Sequence, residues 1–226
     1  MKKLLVSTLI AGFAAFSVYS QTLDEIVKRQ SSALKEDSYD NVKTVKVTAK
    51  LNQMGMTLAM TTYFKAPDLS RIVLSFNGQE IVQVYDGKKG YLINPMAGSE
   101  PQELSPDQLT SLKNNSTLKS PISGYHRDKK LTLEGTGDVN GKPAFKLKAT
   151  DGGNVIYYFI DKQTWLPVKM TMTSGGMNID TYQEWADIKG IMLPKVTKTV
   201  AGNTEIVINV EDVEVNIPLD DSLFRI

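Results

Sequence analysis

The chain has 226 residues, a formal net charge of +1, 41% hydrophobic residues and no cysteine. Disulfides, thiolate chemistry and a lipid-attachment cysteine are therefore excluded, even though an exported compartment would permit disulfides. Charges of both signs are mixed along the chain without the basic blocks that a nucleic-acid partner would need.

The first residues, MKKLLVSTLIAGFAAFSVYS, read as a secretory signal peptide. Lys2 and Lys3 lead, an apolar run covers residues 4–16, and a cut is expected near Ser20. That run is 13 residues long, short of the roughly 20 that a membrane-spanning helix needs. Residues 21–226 are then expected to form one exported domain, with a formal charge of −1 once the two signal lysines are gone.

The stretch TLDEIVKRQSSAL predicts a short amphipathic helix. Thr22 can cap it, Glu25 completes a capping box, and Leu23, Ile26, Val27 and Leu34 share a face. From Asn41 onward the period changes to two: Val45, Val47, Ala49 and Leu51 fall on one side of an extended chain, with Thr44, Lys46, Thr48 and Lys50 on the other. Strands are expected next at 56–65, 69–76, 80–85 and 90–94, with Asn77-Gly78 and Asp86-Gly87 as hairpin signals. Past Pro95 the pattern breaks into a polar excursion. Inside it SPDQLTSL predicts a second helix, with Ser105 as cap, Pro106 in the first turn, Gln108 at the capping-box position, and Leu109 and Leu112 facing one way. A second meander follows at 131–134, 144–149, 155–160, 166–173, 177–185, 191–200 and 205–215. The total is eleven or twelve strands and two helices.

Size then constrains shape. Ten strands spaced about 4.8 Å apart make a sheet nearly 50 Å wide, whereas one helix is about 10–12 Å across. Two short helices cover about half of such a face. The rest must be hidden by curling the sheet or must line a cavity, which favours a strongly curved antiparallel sheet partly plugged by helices.

Little in the chain suggests catalysis. His126, the single histidine, sits in the turn-like SGYHRDKK and is expected to be solvated, and the acidic pairs Asp220-Asp221 and Glu211-Asp212 read as polar surface. The GxSxG elbow, the phosphate loop and HExxH do not occur. No catalytic residue, metal or cofactor is expected, and the chain reads as a non-enzyme. The methionines of QMGMTLAMTTYF and VKMTMTSGGMNI admit three readings. They could form a thioether site for Cu(I), fill an ordinary core, or make a deliberately adaptable apolar surface.

The block TYFKAPDLSRIVLSFNGQEIVQVYDGKKGYLINP resembles the periplasmic lipoprotein carrier and receptor family, the LolA/LolB group. Phe64, Pro67, Asp86, Gly87, Lys88, Tyr91, Asn94 and Pro95 stand at the family's aromatic-x-x-Pro step, DGK turn and NP exit. Later stretches, from GKPAFKLKA to VNIPLDDSLF, look like the downstream strands of lipoprotein-sorting relatives. The carriers usually have a basic residue before the proline, tied to lid opening. Here Ala66 stands there after Lys65, and Arg71 would be a displaced substitute.

The resemblance implies a mainly β (α+β) fold, an unclosed β-barrel with a short helical lid, holding lipoprotein acyl chains in transit through the periplasm to the outer membrane. The expected lining is Met56, Leu58, Met60, Phe64, Ile72, Leu74, Tyr91, Met170 and Met172. The expected lid contacts are Leu23, Ile26, Val27, Leu109 and Leu112. Partners would be lipoprotein acyl chains or other lipid, with inner- and outer-membrane transfer partners, no nucleic acid, and a monomeric protein. Two rival readings are a cell-envelope sensor or protein-interaction module on the same half-barrel, and an integral outer-membrane barrel.

Overall fold

Tight two-residue turns organise the chain. Asn77-Gly78 has φ values of 49° and 78°, and Met54-Gly55, Asn140-Gly141 and Lys189-Gly190 repeat the same left-handed pair. Such turns match the twist of antiparallel strands and set their register. In the computed structural model, which describes residues 21–115, 117–151 and 153–226, they link a single sheet of 13 strands. The expected signal peptide lies outside the described residues.

The first six strands are β1 (Thr44–Gln53), β2 (Met56–Lys65), β3 (Leu69–Phe76), β4 (Gln79–Tyr85), β5 (Gly90–Asn94) and β6 (Gly98–Glu103). Then come β7 (Leu131–Val139), β8 (Lys142–Asp151), β9 (Asn154–Asp161), β10 (Pro167–Ser174), β11 (Met177–Ile188), β12 (Ile191–Ala201) and β13 (Thr204–Val215). Their order is β6-β5-β4-β3-β2-β1-β13-β12-β11-β10-β9-β8-β7. All paired neighbours run antiparallel, and β6 and β7 remain edges, so the half-barrel is open. An open edge would leave backbone groups unpaired in hydrocarbon, which rules out the membrane-barrel reading for this sheet. Both edges carry their own protection: Pro101 lies in β6, and β7 has a register shift between Leu133 and Gly135.

The helices start where side-chain caps dictate. In α1 (Leu23–Ala33) the Thr22 hydroxyl accepts from the Glu25 N–H at 3.2 Å. In α2 (Pro106–Asn115) the box is reciprocal: Ser105 N–H donates to Gln108 Oε1 at 3.0 Å, and Gln108 N–H to Ser105 Oγ at 3.4 Å.

Two elements correct the sequence reading. α3 (Pro121–Arg127), capped by Ser120, replaces the expected turn around His126, and β6 occupies part of the expected polar excursion. His126 thus sits on a helix, with its Nε2 2.8 Å from Asp24 Oδ1 of α1.

The helices pack against one face of the sheet. Ile26 and Val27 of α1 and Ile122 and Tyr125 of α3 cluster with Leu131, Phe145, Leu147, Ala149, Tyr158 and Ile160 of β7–β9. At the other end, Leu109 and Leu112 of α2 pack with Leu104, Tyr85, Ile72 and Leu92. Between them, after α1, a 3-10 turn (Glu36–Asn41) puts Tyr39 against Val45, Ile191 and Val213.

Gly90 makes the α2 contact possible. A Cβ there would lie 2.9 Å from Leu104 Cδ1 and 3.0 Å from Leu109 Cδ1. Gly90→Val is expected to push α2 outward and cost about 1–3 kcal/mol of stability, read from the urea midpoint together with faster hydrogen exchange in residues 106–115. Unchanged exchange in that helix would refute this account of its seating.

Candidate functional site

Residues directly opposite one another in an antiparallel pair share a face, so register traces the helix-bearing face across the sheet. One row runs Leu147, Tyr158, Met170, Thr181, Thr199, Ile206, Gln53 and Met56. Two more run Ile208, Leu51, Leu58 and Val210, Ala49, Met60, Leu74, Ile81. Leu147 and Tyr158 lie beneath α1 and α3, so these rows continue a covered face into an open one.

Cover along the rows is uneven. Phe64 packs around Tyr39, Ile72 lies with the leucines of α2, and Met170 packs against the cluster under α1. Met56, Leu58, Met60, Leu74 and Met172 stand outside all of these clusters. Leu51, Ile179, Ile206 and Ile208 share that situation, and all four are half-buried. They form the floor of an apolar trough, flanked by α1 and α3 on one side and α2 on the other. Around Tyr39 it is closed.

The opposite rim is different. There the hairpin tips after β1, β3, β5 and β10 lie at the same end of the sheet, and each carries one or more of the exposed large apolar residues Met54, Met56, Phe76, Met96 and Met177. Met54 is 80% exposed. An apolar floor that continues into an apolar rim is the usual mark of a surface meant to meet another apolar body.

Tyr91 is not with the other expected lining residues. It pairs with Val84 and Glu103, and Val84 pairs with Arg71, which puts Tyr91 on the outer face. The place expected for it inside is taken by Gly90, with the α2 leucines above. All five expected lid residues do face the sheet, in the clusters under α1 and α2.

Lys65 and Arg71 also turn outward, where they hold the chain end. Lys65 Nζ donates to Leu219 O at 2.8 Å and Asp221 Oδ1 at 2.5 Å, and Arg71 donates to Leu223 O at 3.2 Å. Among the described residues neither bonds to a lid helix; both anchor the tail. The Ala66–Pro67 bond between these strands is cis.

Polar ties hold the lid. Glu36 accepts from Ser31 Oγ at 2.9 Å, Ser120 N–H at 2.7 Å and Ser123 Oγ at 2.8 Å, which joins α1 to the start of α3. Lys35 pairs with Asp187 of β11, and that ammonium holds the exposed Asp187 carboxyl below the usual carboxylate range. Arg29 lies 4.7 Å over the Trp165 ring, which stacks on Phe145. Burial beneath α1 and α3, with Tyr125 alongside, pushes the Tyr158 phenol above its ordinary range, so it stays neutral.

A second concavity of about 600 Å³ lies chiefly on the outer side of β8–β10, lined by Lys146, Tyr157, Phe159, Thr171 and Asn178 among others. Its lining mixes aromatic and charged groups: Lys146 stands 4.2 Å over Tyr157, and close by Lys169 contacts Phe159 and Tyr182 while paired with Asp180. Burial works against the Lys169 ammonium, but Asp180 and Tyr182 together keep its pKa above the usual lysine value. Among the described residues no three His, Cys, Asp or Glu side chains gather as a metal site.

Fold and site together define an open antiparallel half-barrel with an apolar trough beneath a helical cover. Solved structures of the same form include a domain assigned as an outer membrane lipoprotein-sorting protein from Vibrio parahaemolyticus (TM-score 0.64, 12% identity, covering 89% of this chain and 95% of that one). A LolA superfamily protein from Nitrosomonas europaea has a TM-score of 0.62 at 14% identity, covering 91% and 98%. A DUF1329 family protein from Desulfovibrio piger also gives 0.62, at 17% identity over 88% and 97%. At these identities the likeness is one of fold, and the fold is LolA-like. No family model matches the chain, and no curated protein matches it as a sequence relative.

Proposed function

We propose that the protein is a non-enzymatic carrier of the periplasm that shelters the acyl chains of a lipoprotein, or of another lipid, on its way to the outer membrane. The observation that carries this reading is the half-buried apolar floor through Leu58, Met60 and Leu74, with the exposed Met56 at its rim, continuous with the covered core yet outside every packed cluster. Each methylene moved out of water contributes roughly 0.8 kcal/mol, so a trough of this kind offers an acyl chain enough to leave a membrane. Release must remain possible. Unbranched, polarizable methionine repacks around chains of different shape, which favours reversible binding over a fixed fit.

In this reading α1, α3 and α2 form the cover, the methionine rim is the entrance, and partners at the inner and outer membranes load and unload a monomeric protein. Mass spectrometry of lipid extracted from protein purified out of its native periplasm is expected to find bound acyl lipid, and the stripped protein is expected to take up a fluorescent fatty acid. A lipid-free protein that also ignores the fluorescent probe would overturn the reading. An in vitro assay that moves lipid between vesicle populations separates transfer from storage.

A further inference from the structure

We propose that Gln30 reads the polar head of the bound lipid, selecting neutral heads that offer both a hydrogen-bond donor and a carbonyl acceptor. This deepens the acyl-carrier reading above and rests on it.

Gln30 lies on α1 and is 0% exposed, yet neither its Oε1 nor its Nε2 has a hydrogen-bond partner among the described residues. Other buried polar groups are satisfied. Glu36 gathers its donors as above, Asp161 accepts from the N–H groups of Gln163 and Thr164, and Thr44 donates to Ile217 O at 2.6 Å. An unpaired amide in an apolar interior is costly, and an apolar side chain of similar shape would remove that cost. As a packing element alone, Gln30 is therefore a poor choice.

Its position suggests what would satisfy it. Gln30 follows Ile26 by one turn and precedes Leu34 by one turn, on the buried stripe of α1. Ile26 belongs to the cluster that Met170 packs against, and the Leu34 carbonyl accepts from the hydroxyl of Tyr39, the centre of the next cluster. The amide thus sits on the cover between two clusters. Met170, on the sheet below, belongs to the same row as Met56 at the open rim.

A carboxamide presents an N–H donor and a carbonyl acceptor side by side. A lipid head with an amide, or with a hydroxyl beside a carbonyl, satisfies both. A plain ester accepts only, and leaves Oε1 unpaired.

The test uses the full chain stripped of lipid and measures displacement of a fluorescent fatty acid by palmitamide and by methyl palmitate, which share a chain and differ in the head. The wild type is expected to bind palmitamide about ten-fold more tightly, the effect of one further hydrogen bond to a buried group. In Gln30→Leu, and in Gln30→Met as a second apolar variant, the preference for palmitamide is expected to disappear. Equal affinities in the wild type, or a preference that survives both substitutions, would overturn the head-reading role while leaving acyl binding intact. Uptake of neither ligand by the wild type would overturn the carrier reading, and the role of Gln30 with it.

Discussion

Met60→Glu is expected to abolish acyl binding, with a loss of at least a hundred-fold in affinity on the order of the cost of burying an unpaired carboxylate against hydrocarbon. Met60 pairs with Ala49 on one side and Leu74 on the other, in the middle of the trough floor and away from the packed clusters. In the empty protein the new carboxylate reaches water through the open trough, so the fold is expected to survive with little change in the circular dichroism spectrum. Met60→Leu, which keeps the surface apolar, is expected to retain uptake. A folded Met60→Glu protein that still takes up the fluorescent fatty acid would show that the ligand lies elsewhere, and the outer groove lined by Tyr157 and Phe159 would become the next place to look.

Glu36→Ala is expected to have the largest effect on the lid. Glu36 is 5% exposed, and its carboxylate is the shared acceptor for two hydroxyls and one backbone N–H drawn from α1, α3 and the cap of α3. Removing it strands the Ser120 N–H and leaves both serine hydroxyls short of a partner, at a combined cost of about 3 kcal/mol or more. The loss falls on the joint between α1 and α3. Hydrogen exchange of residues 121–127 should rise well before the sheet unfolds, and the urea midpoint should drop. Glu36→Gln keeps an acceptor without the charge and is expected to fall between the two. Unaltered exchange in α3 would mean that the packing of Ile122 and Tyr125 and the His126–Asp24 contact suffice to hold the helix in place.

Much of the sheet was legible because its signals are local. Twofold alternation marked the faces of β1 and β2, and Asn77-Gly78 and Asp86-Gly87 marked the turns on either side of β4, so all the expected strands are found. Thr22 with Glu25, and Ser105 with Gln108, located two helix starts from side chains that act within four residues. The elements that escaped notice lack such signals. β6 is an edge strand of six residues, five of them polar or proline, and none of its described side chains is buried to impose alternation. α3 is only seven residues long, and its start repeats the Ser-Pro of α2 at Ser120-Pro121, a signal that was available but was outweighed by the charged run His126 to Lys130.

The site was less legible than the sheet. Parity gives each strand two faces but does not say which one turns inward after a loop. For β5 the larger Tyr91 looked like the filler, whereas the interior there is filled from α2 and needs the absent side chain of Gly90. Gln30 was invisible for a related reason. On an amphipathic helix glutamine reads as solvent-facing, and only the packing of α1 against the sheet brings its amide inside.

The pairing of β1 with β13 has a consequence for how the protein assembles. Every other sheet pairing joins strands that follow one another in the chain, so β1–β6 and β7–β13 can each zip up from local hairpins. The seam between them joins Val45 to Val215 and must wait for the whole chain, because closing so long a loop is slow. Leu51 with Ile208 and Ala49 with Val210 are rungs of that seam and also part of the trough floor. The floor is therefore complete only when that seam has closed. Until then two bare strand edges and two apolar half-faces are on display, the stage at which newly made chains are most open to aggregation and to rescue by a holding chaperone.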